Sequence, residues 1–311
     1  MQFWPRKRSR HTLVRIRSWP QEKKVKPLGF VGFKAGMTHI QILDARPKSI
    51  TKGEQLGLAT TIIECPPMIV AGICFYQKTS TGLRKTTSVF AEKLSPDLSR
   101  RVQLPKKNIL SLPAVSSFDD LRLLIHTFPK ATSTGGKRPK LIEIALGGSK
   151  DEKFSYAQQN LGKEIAITDV FGAGASVDIH GVTKGKGFQG TVKRFGVPIR
   201  QHKAEKTKRG IGTLGSWTPK RVEFTVPQSG KMGFHSRTEY NKQILKIGTN
   251  GAEVTPTGGV ISYGLVKNAY VLLKGSVMGS KKREVLLTPS SRPNYRMPKE
   301  APEITYLSAH N

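Results

Sequence analysis

The chain has 311 residues, with 52 lysines and arginines against 21 aspartates and glutamates, a net charge of +31. Hydrophobic residues make up 37% and 31 glycines raise the sum to an ordinary globular share, so a sizeable core in one large or two ordinary domains is expected. The cationic surplus is a statement about partners, and a polyanion fits it; no apolar run approaches ~18 residues, no basic amphipathic helix is evident, and the N-terminus lacks the apolar stretch of a signal peptide, which argues against a membrane.

Residues 1–27 form a basic arm. Arg6, Lys7, Arg8, Arg10, Arg15, Arg17, Lys23, Lys24 and Lys26 face one acid, Glu22, with Trp4-Pro5 and Trp19-Pro20 interleaved. Cations alternating with aromatics suit phosphates and unstacked bases, although a disordered tail kept for solubility would have a similar composition.

From Leu28 the pattern is of short β-rich runs, LGFVGF (28–33), THIQILD (38–44), LATTIIEC (58–65) and MIVAGICFY (68–76), each bounded by turn-forming or charged residues. Gly29, Gly32 and Gly36 predict a bulge or a close backbone approach. Cys65 and Cys74 sit inside these runs without metal or redox spacing, and read as buried reduced thiols of a cytosolic protein. Residues 77–163 read as an α/β insertion. Ser117-x-x-Asp120 resembles a capping box, and Leu121, Leu124, Ile125 and Phe128 predict a helix ended by Pro129. A strand, KLIEIAL (140–146), and a helix from Asp151 to Leu161, opened by Ser149 and closed by Gly162, follow. Strands resume with EIAITDVF (164–171) and ASVDIHGV (175–182).

The segment 181–221 has a different character. It holds Lys184, Lys186, Lys193, Arg194, Arg200, Lys203, Lys206, Lys208, Arg209, Lys220 and Arg221 against Glu205 alone. Its apolar residues follow no period, so no regular element is expected; a long loop of this kind is functional or disordered. A solvated linker would share the charge, but Trp217 beside Gly215, Ser216 and Pro219 has little protein to cover it, which favours a loop that takes its shape from a nucleic acid. Beyond it, RVEFTV (221–226), KQILKIG (242–248), VISYGLV and NAYVLLKGSV (260–277) and EVLLT (284–288) predict strands, the two runs around Lys267-Asn268 forming a hairpin. Residues 289–311, with four prolines, read as an extended tail.

Catalytic signals are weak. Gly185-x-Gly187-x-x-Gly190 spells a dinucleotide fingerprint, but TVKRFGVP is not expected to open a helix and the nearest acid, Glu205, sits among lysines. The seven histidines (11, 39, 126, 180, 202, 235, 310) lack metal-ligand spacing, and no nucleophile context is recognisable. No cofactor, metal or small-molecule substrate is expected.

The run GVTKGKGFQGTVKRFG (181–196) closely resembles the signature of the large-subunit ribosomal protein L-three family. LGSWTP (214–219), GKMGFHSRT (230–238), GFVGFKAGMTHI (29–40) and NAYVLLKGSVMGSKK (268–282) resemble further blocks of it in its archaeal and eukaryotic form, and the resemblance covers most of residues 1–290. It implies a mainly β fold: a six-stranded translation-protein-type β-barrel over 28–76 plus 164–288, interrupted by a long rRNA-penetrating loop at 181–221, with the α/β insertion at 77–163 and tails at 1–27 and 289–311. It implies that Trp217 sits at the loop tip near the peptidyl-transferase centre. Eukaryotic members have Thr-His-Arg-Gly where this chain has Thr207-Lys208-Arg209-Gly210, so a role resting on that histidine does not carry over. The absence of the eukaryotic C-terminal extension points to an archaeal-type member.

The expected function is a non-enzymatic scaffold of the cytoplasmic ribosome that binds large-subunit rRNA, packs against neighbouring ribosomal proteins and acts early in assembly. Besides Arg6, Lys7, Arg8, Arg10, Arg15 and Arg17 of the arm and the cations already named in the loop, the expected rRNA contacts are Trp19, Phe188, Gln189, His202, Lys231, His235, Ser236 and Arg237. An RNA-modifying or RNA-processing enzyme using the basic loop as a substrate groove is the competing class, and a chromatin protein the third.

Overall fold

The computed structural model describes residues 6–46, 48–105, 118–218, 220–298 and 300–309. Trp4, Ser117, Pro219 and His310 lie outside the described residues. The chain is mainly β: β1 (Phe30–Leu43), β2 (Gln55–Glu64), β3 (Met68–Thr79), β4 (Gly82–Phe90), β5 (Asp120–His126), β6 (Leu141–Ala145), β7 (Glu164–Ile165), β8 (Ser176–Val182), β9 (Phe188–Gln189), β10 (Gly230–Lys231), β11 (Ser236–Gly248), β12 (Tyr270–Lys274), β13 (Glu284–Pro289) and β14 (Ile304–Leu307). Two helices, α1 (Lys150–Asn160) and α2 (Thr191–Phe195), accompany them. The chain divides into two compact units, Met1–His11 with Val182–Arg237, and Thr12–Gly181 with Thr238–Asn311.

The larger unit contains two sheets. In the first, the neighbours run β13-β8-β11-β12-β2-β1-β14, and β13 pairs with β1 as well. The two runs expected at 28–33 and 38–44 are one strand, β1, because its register against β2 shifts between Lys34 and Gly36, absorbing the break. The expected close approach is present: a Cβ on Gly32 would lie 2.4 Å from an Ile63 methyl, and one on Gly36 2.7 Å from Val260. Ile63, Val271 and Leu273 enter one buried cluster while Ile62 and Leu272 enter another, so β2 and β12 are covered on both faces. That double burial explains why they read as unbroken apolar runs.

The second sheet has the order β4-β3-β5-β6, with β7 on β3. It takes in β3, the run at 68–76 assigned above to the barrel. The helix expected from Leu121 is instead β5, paired with β3 on one side and β6 on the other. Leu121, Leu123 and Ile125 alternate into the core, and Leu124 is buried on the opposite face beside Cys74 and Tyr76. Two-faced burial therefore mimicked a helical spacing. The expected second helix is found as α1; the Ser149 N–H donates to the Glu152 carboxylate at 2.8 Å, and Gly162 lies at φ +79. Its Phe154 packs with Phe75 and Phe118, ring centroids 5.1–6.5 Å apart.

Other expectations need correction. Only Glu164–Ile165 of EIAITDVF is strand, Ile167–Asp169 being a 3₁₀ turn. VISYGLV is a turn closed by a Val260–Gly264 bridge, so β12 pairs with β11 and β2 rather than in a hairpin with it. RVEFTV is not a strand; its Val222 and Phe224 are exposed, and Phe224 lies in a turn. The tail contributes β14, which pairs with β1. Cys65 and Cys74 are buried free thiols, and burial pushes both above the ordinary range.

Candidate nucleic-acid interface

The smaller unit is the cationic segment together with residues 6–11. Its base is a short ribbon: β9 pairs antiparallel with β10, Lys186 N–H donates to Met232 at 2.9 Å, and Met232 N–H donates to Gly187 at 2.8 Å. At Gly233 the strands approach so closely that a Cβ would stand 2.0 Å from the Lys184 carbonyl oxygen, and φ is +75. Only glycine fits both demands.

Opposite lies a buried imidazole. His235 Nε2 accepts from Gly233 N–H at 3.1 Å, which leaves Nδ1 as the protonated nitrogen donating to the Lys7 carbonyl at 2.8 Å. Its own N–H donates to Thr183 Oγ1 at 3.1 Å, and Ser9 N–H donates to Phe234 at 2.8 Å, so the described start of the arm is fastened to the ribbon. His235 is thus buried and holds the protein's own backbone.

The short helix α2 corrects the expectation that TVKRFGVP forms none. Gly190 opens it and Gly196, at φ +72, closes it. The dinucleotide reading still fails, because β9 belongs to an antiparallel ribbon and no parallel β-α-β unit surrounds the glycines. From α2, Arg194 spreads its guanidinium over three carbonyls: Lys231 at 3.1 Å, Gln228 at 2.8 Å and Arg6 at 3.2 Å. Arg6 and Arg194 both lie on the Phe195 ring, 4.4 and 4.9 Å from its centroid. Burial and the Arg6 charge push Arg194 and Arg237 below the ordinary arginine range. Like charges crowded in this way create a positive field that an anion would relieve.

Beyond α2 the segment is built of turns. Arg200 N–H donates to the Lys208 carbonyl at 3.1 Å, and Thr191 Oγ1 donates to Arg209 at 3.2 Å, folding 200–211 back towards the helix. Arg200, His202, Lys203, Lys206, Lys208, Arg209, Lys220 and Arg221 are exposed, as are Lys7, Arg8, Arg10, Lys184, Lys186, Lys193, Lys231 and Ser236. Arg6, Gln189, Arg194 and Arg237 are half-buried. Among the described residues none of the lysines from Lys184 to Lys231 has an ion pair. Trp217 is 86% exposed and Phe188 68%. Sequence reasoning missed Phe224, 80% exposed in the same unit; its signal was the pair of prolines, 219 and 227, that bracket a run too short to pair.

The remaining expected contacts, Arg15, Arg17 and Trp19, belong to the larger unit. Both arginines are exposed. Trp19 packs with Leu13 and Ile16 against the main buried cluster, and its ring lies 3.2 Å from where a Gly29 Cβ would be. Its indole is half-buried in this packing. Among the described residues no three His, Cys, Asp or Glu side chains could hold a metal, and no helix is long and apolar enough to cross a membrane.

The family model described as Ribosomal protein L3 matches residues 1–111 and 114–309. The chain is 44% identical over 320 residues to the large ribosomal subunit protein uL3 of Methanococcus maripaludis strain C7, covering 99% of this chain and 95% of that protein. It is 46% identical over 315 residues to the Methanocaldococcus jannaschii uL3 (98% and 94% covered) and 43% identical over 318 residues to that of Methanopyrus kandleri (98% and 88% covered).

Proposed function

From the premise that the chain belongs to the ribosomal protein L3 family, we propose that it binds large-subunit, 23S-type rRNA through the cationic unit and stabilises the RNA around the peptidyl-transferase centre. The family is a structural ribosomal one, a component of the cytoplasmic ribosome and not an enzyme. The observation that carries the proposal is Trp217, 86% exposed on a segment whose lysines lack carboxylate partners. An indole in water gains from a stacking surface, and unpaired cations gain from phosphate through counterion release. The interface comprises the exposed cations of 6–10 and 184–231 with Phe188 and Trp217. Arg15 and Arg17 add phosphate contacts from the larger unit.

Neutralising several RNA helices at once favours compaction, so the protein acts early in subunit assembly. Neighbouring ribosomal proteins pack on the β body. The six strands β1, β2, β12, β11, β8 and β13 close into a barrel of the translation-protein type, a reading supported by the second pairing of β13 with β1. The barrel would comprise 28–66 plus 164–288 outside the loop, with the second sheet as the α/β insertion.

Large subunits carrying Trp217→Ala test the role of the tip. Assembly should be normal while peptide synthesis and its response to tRNA or factors change. Unaltered synthesis would remove that role.

A further inference from the structure

We infer that the larger unit bears a second RNA-docking surface, separate from the cationic segment, formed by Tyr240, Arg292, Tyr295 and Arg296, which stacks on an unpaired base and grips the adjacent phosphates. It rests on the rRNA-binding reading above. The surface begins on the face of the sheet made by β8, β11 and β13. There His180 joins Thr238 at 2.9 Å through Nδ1 and Thr288 at 3.0 Å through Nε2. Thr238 and Tyr240 are two residues apart on β11 and share that face, and Tyr240 is 47% exposed. The Arg292 guanidinium lies over the Tyr240 ring, 5.3 Å from its centroid.

The segment carrying Arg292 to Arg296 is held at both ends. Buried Asp178 accepts from Ser291 N–H at 2.8 Å and Ser291 Oγ at 2.9 Å, while its other oxygen accepts from Asn241 N–H at 2.9 Å. Ser290 Oγ donates to Asn241 at 2.6 Å. At the far end buried Gln243 donates to the Pro298 carbonyl at 3.2 Å. Between these pins a turn closes, with Arg296 N–H donating to Asn294 Oδ1 at 3.0 Å and Met297 N–H to the Asn294 carbonyl at 3.1 Å. Tyr295 stands on that turn, 91% exposed.

A phenol ring held in water by a pinned turn costs solvation and is not used for packing. Residues 290–298 include two arginines and no acid, and the nearest carboxylate on β11, Glu239, points to the other face and pairs with Lys242 at 3.6 Å. Neither Arg292 nor Arg296 is ion-paired among the described residues. Aromatics spaced by cations match single-stranded or irregular RNA better than a protein surface, whose centre would be apolar.

The test uses the full chain and 23S-type rRNA transcribed in vitro. Ultraviolet crosslinking followed by mass spectrometry should find nucleotide adducts on Tyr295 or Tyr240. Tyr295→Ala should weaken binding roughly tenfold, and Tyr295→Phe should bind like the parent. Arg292→Gln with Arg296→Gln should make the salt dependence shallower by about 0.7–0.9 per cation removed. Unchanged binding in these variants, while Lys206→Gln with Lys208→Gln weakens it, would overturn this surface and leave the proposed function standing. Failure of the parent chain to bind would overturn both, and a crosslink from Tyr295 to a neighbouring protein in intact subunits would overturn the choice of RNA.

Discussion

Two residues fix the root of the cationic segment, and each makes a sharp prediction. Gly233→Ala would press a methyl against the Lys184 carbonyl oxygen in a left-handed backbone, so we expect a loss of about 2–4 kcal/mol. Chemical denaturation and rRNA binding should fall together. His235→Ala would leave the Lys7 carbonyl and Gly233 N–H unsatisfied, for a cost of about 1–3 kcal/mol. Binding should drop without loss of any cation; full binding in that variant would show that these bonds are not needed to hold the interface. Two other histidines set a pH dependence. Burial holds His126 and His180 below their ordinary 6.5, so the folded state binds fewer protons than the unfolded chain. Their contribution is complete above pH 6.5 and is lost as pH falls below it. Unfolding curves at pH 7 and pH 5 should show lower stability at pH 5, and His126→Gln should reduce the difference. At this scale charge was legible in the sequence and burial was not. Nothing in the letters separated Trp217, which is exposed, from Trp19, which packs on the core, or revealed that His235 bonds backbone.

At the scale of elements, β1, β2, β3, β8, β12 and β13 were visible as apolar runs between turn residues, and α1 by its capping residues. The failures share a cause. β5 is covered on both faces, so Leu121, Leu124 and Ile125 satisfied a helical template while Leu123 settled the matter only once its neighbours were known. Leu123→Ala should cost about 2–5 kcal/mol because Leu123 is fully buried between β3 and β6. A loss under 1 kcal/mol in a denaturation series would contradict that placement. Conversely VISYGLV and RVEFTV have strand-like composition but no partner edge, and Phe224 ends in solvent. Strand formation is decided by pairing across long sequence separations, which one sequence does not display.

For the whole molecule, the sequence showed a cationic segment inserted into a β body, and the structure supplies the topology. β8 ends at Val182, β11 begins at Ser236, and the two are neighbours in one sheet, so the segment leaves and returns at adjacent strands. Lysines that cluster without carboxylates repel one another, and a polyanion turns that repulsion into affinity. The most direct measurement is the affinity of the full chain for 23S-type rRNA across a series of salt concentrations. If about fifteen cations meet phosphate, log affinity should fall against log salt with a slope of about −10 or steeper, and replacing four lysines of 184–208 by glutamine should make it shallower by about 3. A slope near zero, or one that those replacements leave unchanged, would contradict the account.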